Sequence, residues 1–68
     1  MYWILWYTDT ISSDVVREEE TNKIALFTKK EVAEEEAEKL MTSFRKVEVV
    51  SQELKYVDKN YYIIIDDV

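Results

Sequence analysis

The sequence predicts an α+β domain: an antiparallel sheet of four to five strands with a single helix packed on one face, in the order β(β)βαββ. Three stretches carry that expectation. They are the aromatic run MYWILWYT at the start, the helix-patterned FTKKEVAEEEAEKLMTSF in the middle, and YYIII near the end. Strands on both sides of one helix bury their apolar face against it, which gives a two-layer domain. Residues 1–68 have room for one domain.

Branched and aromatic side chains dominate the opening run, so a strand is expected from Tyr2 to Thr8. The run is too short to span a bilayer, which takes about 20 apolar residues, and it lacks the basic flank of a signal peptide. Tyr2, Ile4 and Trp6 share one face; Trp3, Leu5 and Tyr7 share the other. Both faces are apolar, as in a central strand covered on both sides. Ile11-Ser12-Ser13-Asp14 then reads as a turn and Val15 to Glu20 as a polar edge strand, with a short helix capped near Ser13 as the competing reading. Glu20 to Lys23 turns the chain into a short strand, Ile24 to Phe27.

The helix is expected from Lys29 to Ser43. Thr28 and Glu31 stand at capping-box spacing, and Phe27 and Val32 at hydrophobic-staple spacing. Ala33, Ala37, Leu40, Met41 and Phe44 recur at helical spacing and define one apolar stripe. Arg45 to Val57 and Tyr61 to Asp66 read as two further strands. Asp58-Lys59-Asn60 would join them as a hairpin loop, with Asn60 in the left-handed position.

Composition bounds the function. Cysteine, histidine, glycine and proline are all absent. That removes disulfides, ordinary zinc sites and glycine-rich phosphate cradles, and it fits a cytoplasmic protein. Acid–base or nucleophilic work would fall to carboxylates, Lys, Ser, Thr or Tyr, none of which sits in a recognisable motif. A non-enzymatic role without cofactor is therefore expected. Asp66 and Asp67, or Glu34 and Glu38 one turn apart, offer oxygen ligands, but no EF-hand spacing is present and no metal site is expected. A chain this short buries only about 60% of its unfolded surface, and oligomerisation is the one support left to it, so a homodimer is expected.

Fifteen acidic residues against nine basic ones give a net charge of −6. Nucleic acid and anionic membrane both ask for the opposite sign, so neither is an expected partner. A protein with a basic surface is. Two sets of residues are candidates for binding it. Glu31, Glu34, Glu35 and Glu38 fall on one third of the helix, opposite the apolar stripe, with Lys30–Glu34 and Glu35–Lys39 as offsetting pairs. They read either as a solvated face or as an array that imitates nucleic-acid phosphates, which Asp14, Glu18, Glu19 and Glu20 would extend. The second set is aromatic: Trp3, Trp6, Tyr7 and Tyr62, part of a surplus that one helix cannot cover and that suits a protein interface or self-association.

In size, acidity, Lys- and Glu-rich composition and the single-helix pattern around FTKKEVAEEEAEKL, the chain resembles the small acidic inhibitors that bacteriophages encode against host defence, such as anti-CRISPR proteins. The resemblance is one of overall character, without a shared motif, so it carries over no functional residue. It implies a binding protein that blocks a defence protein in the host cytoplasm. The alternative is a small homodimeric structural or regulatory protein without nucleic-acid mimicry.

Overall fold

The computed structural model describes residues 1–65. Among them are strands β1 (Tyr2–Thr8), β2 (Ser13–Val15) and β3 (Ile24–Phe27), helix α1 (Lys30–Leu40), and strands β4 (Lys46–Gln52) and β5 (Tyr62–Ile65). β1 pairs antiparallel with β4 along its whole length, from Tyr2 opposite Gln52 to Thr8 opposite Lys46. Its other edge is shared: β2 takes Trp6 to Thr8, and β3 joins at Trp3 opposite Phe27. β5 pairs with β3, from Ile24 opposite Tyr62 to Phe27 opposite Ile65, and runs parallel to it. The spatial order is β4–β1–β3–β5, with β2 a short arm beside β1.

The sheet is therefore mixed, not purely antiparallel. The expected hairpin through Asp58-Lys59-Asn60 does not form, because β4 is already held by β1 and β5 takes the edge of β3. The chain still turns there. The Asp58 carboxylate accepts the Asn60 N–H at 2.9 Å, and its carbonyl accepts those of Tyr61 and Tyr62 at 3.0 Å. Among the described residues the left-handed position belongs to Asn22, at φ 59°, and not to Asn60. The strand expected from Arg45 to Val57 shortens to Lys46–Gln52, and Asp66 and Asp67 lie outside the described residues.

Leu5, Ala25, Phe27, Ala33, Ala37 and Val47 form the buried cluster between sheet and helix, with Trp3, Tyr7, Val49 and Ile65 packed against it. Alternation turns Ile4 and Leu26 to the opposite face, yet they are only 6% and 0% exposed. The connection from β4 to β5 explains this. β3 to β4 through α1, and β4 to β5, are crossovers between parallel strands that travel in opposite directions across the sheet. Both take the favoured right hand only if they pass over opposite faces. With α1 on one face, residues 53–61 cross the other, and their Leu54 and Val57 are half-buried. β1 is the two-sided central strand that its sequence predicts.

The helix ends earlier than expected, through a local side-chain bond. α1 stops at Leu40, where Met41 turns extended at ψ 139°. Thr42 and Arg45 then exchange backbone bonds, and the Thr42 hydroxyl accepts the Phe44 N–H at 3.2 Å. Hydroxyl side chains that bond nearby backbone compete with helix in this way. Met41 and Phe44 consequently leave the apolar stripe and stand 47% and 77% exposed. At its start the helix is capped at Lys29 without a side-chain cap bond, one residue later than the Thr28 capping box predicts.

The Asp9 carboxylate closes the first turn by accepting the N–H groups of Ile11 and Ser12 at 2.9 and 2.8 Å. These bonds, with a smaller contribution from Arg45, hold Asp9 below its ordinary pKa. The turn comes earlier than expected, so pairing begins at Ser13 instead of Val15, and neither the strand to Glu20 nor the competing helix forms. Beyond Val15 the chain changes partner, and Arg17 forms an isolated bridge with Ile24 of β3.

Candidate protein-binding groove

α1 packs mainly on β4 and β1 and only lightly on β3, so the helix side of the sheet is left open over β3 and β5. The opening is a groove of about 350 Å³. Its floor is apolar: Val16 from the chain after β2, Ala25 and Phe27 from β3, Leu40 from α1 and Ile65 from β5. Its rim carries Glu18, Glu19, Glu20, Glu36 and Arg17, four carboxylates against one guanidinium. A smaller hollow lined by Tyr7 and Arg45 shares Val16, Arg17 and Leu40 with the groove and extends it toward the end of β1.

The acidic rim is built by two separate devices. In the loop after Arg17, the Glu18 carboxylate accepts the N–H groups of Glu20 and Thr21 and the Thr21 hydroxyl. The Glu18 backbone bonds Lys23 and Asn22 at 2.8 Å, with Asn22 in the left-handed conformation that Asn tolerates. Glu18 is thus spent on holding the loop, while Glu19 and Glu20 are exposed at the groove's rim. On the helix, Glu36 lies one turn before Leu40 on the flank of the apolar stripe, half-buried, and reaches the same groove. Lys39 approaches it at 4.0 Å.

The sequence-predicted acidic set, Glu31, Glu34, Glu35 and Glu38, is fully on the solvent side of α1, and all four are exposed. The helical repeat places Lys39 between this face and Glu36, so the outer array and the groove are separate surfaces. Lys30 meets Glu34 at 4.0 Å as expected, whereas Lys39 meets Glu36 and not Glu35. Such exposed pairs are worth at most about 1 kcal/mol. Glu36 is a rim residue outside the expected acidic set. Its place beside the stripe, three residues after Ala33 and four before Leu40, is the sequence signal that marks it.

The aromatic set divides between the two faces. Trp3 and Tyr7 lie under or beside the helix, each with a cation over its ring at 5.3 Å, Lys30 on Trp3 and Arg45 on Tyr7. Trp6 and Tyr62 lie on the other face, where Trp6 is 39% exposed and Tyr62 half-buried. Tyr7 borders the groove; Trp3, Trp6 and Tyr62 do not line it. Among the described residues no three His, Cys, Asp or Glu side chains converge as a metal would require, and no helix is long and apolar enough to cross a membrane. No protein-family model, curated protein or solved structure matches the chain.

An apolar floor with a predominantly acidic rim has a defined chemistry. The floor rewards burial of an aliphatic or aromatic side chain at about 25 cal/mol per Å². The rim selects cationic neighbours and repels anionic ones, with a strength that falls as salt rises.

Proposed function

We propose that the protein is a non-enzymatic binding protein that takes a basic, apolar-anchored segment of another protein into the acid-rimmed groove, in the manner of a phage-encoded inhibitor acting on a host defence protein in the cytoplasm. One observation carries this reading: Glu19, Glu20 and Glu36, from elements far apart in the chain, converge on one open apolar floor. Proteins that act on nucleic acid present basic surfaces, and an acidic inhibitor competes for them. The outer helix face of Glu31, Glu34, Glu35 and Glu38 adds long-range attraction without supplying the anchor.

The test is a titration with an arginine-rich peptide carrying one aromatic residue. Replacing Glu19, Glu20 and Glu36 together by Gln lowers affinity about tenfold or more and flattens its salt dependence. Unchanged affinity refutes the groove. Unchanged phage sensitivity of a defence-carrying bacterium that expresses the protein refutes the inhibitor role. A homodimer is the second reading, favoured by Trp6 and Ile64, which stand 39% and 38% exposed on the face away from the helix. Sedimentation at several concentrations decides it.

A further inference from the structure

Among the described residues the free edge of β5 pairs with no strand. β4, at the opposite edge, carries Lys46 and Glu48, and β2 is three residues long with Asp14 at its centre. Charge and shortness are how sheets keep their edges from pairing with other chains. β5 reads Tyr-Ile-Ile-Ile, with no charge and no proline, and among the described residues it pairs with β3 alone. The Ile24 N–H donates to the Tyr61 carbonyl at 2.8 Å, so parallel alternation directs the backbone groups of Ile63 and Ile65 toward β3. The N–H and carbonyl of Ile64 and the carbonyl of Tyr62 then point outward.

Two hollows of opposite charge flank this strand. Ile65 belongs to the acid-rimmed groove. Tyr62 and Ile64 line another hollow, of about 360 Å³, whose charged residues are Lys23 and Lys59. Resting on the groove-binding reading above, we infer that β5 receives an extended segment of the partner protein as an added strand, with basic side chains turned to the groove and acidic or apolar ones turned to Lys23 and Lys59. Strand addition supplies affinity through main-chain bonds and specificity through alternate side chains. A second copy of β5 offers no charge of either sign to the two hollows, whereas an alternating strand satisfies both.

The test uses the full chain and a capped peptide in which arginine alternates with glutamate and valine. At saturation, hydrogen exchange at the Ile64 amide slows about tenfold or more, as an outward N–H gains a partner. Ile64→Pro removes that N–H where proline is tolerated, at a strand edge, and lowers affinity about tenfold or more. The wild-type exchange measurement stands even if this variant fails to fold. Peptide binding that perturbs the groove but leaves Ile64 exchange unchanged overturns strand addition and leaves the groove reading intact. No binding at all overturns strand addition, and the arginine-rich aromatic peptide then decides the groove reading separately. Protection of Ile64 without peptide, together with concentration-dependent sedimentation, assigns the edge to a second copy and also overturns the proposal.

Discussion

Leu26→Ala tests whether the sheet is covered on both faces. Leu26 is 0% exposed although its side chain points away from the helix. A buried Leu→Ala change costs about 2–5 kcal/mol, depending on how far the site collapses. The whole domain, at roughly 0.05–0.15 kcal/mol per residue, is worth about 3–10 kcal/mol. The single change is therefore expected to remove from about a fifth to all of the stability. Leu54→Ala, in the half-buried crossing segment, is expected to cost about 1–2 kcal/mol, and the two together to depart from additivity by more than about 0.5 kcal/mol. Urea denaturation followed by far-UV circular dichroism reads these values as shifts in midpoint at constant slope. A Leu26→Ala cost below about 1 kcal/mol refutes the two-sided sheet. Strict additivity with Leu54→Ala places residues 53–61 elsewhere. Ile11→Ala, at a 91% exposed position, serves as the control and stays within about 0.5 kcal/mol of wild type.

Other outcomes follow from the same geometry. Trp3→Ala is expected to destabilise by about 2–4 kcal/mol and Trp6→Ala by less than half of that, since Trp3 packs against the core under Lys30 and Trp6 stands partly in solvent; thermal melts of the two variants check the ranking. The lowered pKa of Asp9 means that its turn contributes fully above the ordinary Asp value of about 3.9 and is lost as pH falls through the depressed value. The melting-temperature gap between wild type and Asp9→Ala is therefore widest well above the ordinary Asp value and narrows as pH falls below it. A gap that widens on acidification contradicts the turn's electrostatics.

Some of this fold is legible without coordinates, and the reasons are physical. Tyr2 to Thr8 presents apolar residues on both faces, which only a central strand buries, and it is central. Ile24 to Phe27 and the Ala33, Ala37, Leu40 stripe are equally plain. What misleads is competition between local and distant bonds. Asp58-Lys59-Asn60 has the chemistry of a hairpin, but β4 found a seven-residue partner in β1, and a local turn signal says nothing about that. Met41 and Phe44 continue the helical period, yet the Thr42 hydroxyl ends the helix first. In the candidate site, the run Glu18 to Glu20 reads as three equal charges, whereas Glu18 is a loop brace. Its meeting with Glu36 depends on how α1 sits across the sheet, which no period in the sequence encodes.

On the proposed reading a basic partner binds in the groove and not on the outer face of α1. An amide-resolved titration of the labelled protein with an arginine-rich peptide separates the two surfaces. Perturbations are expected to centre on Val16, Ala25, Phe27, Leu40 and Ile65, with Glu19, Glu20 and Glu36 around them. Perturbations confined to Glu31, Glu34, Glu35 and Glu38, or none at all, would contradict that reading.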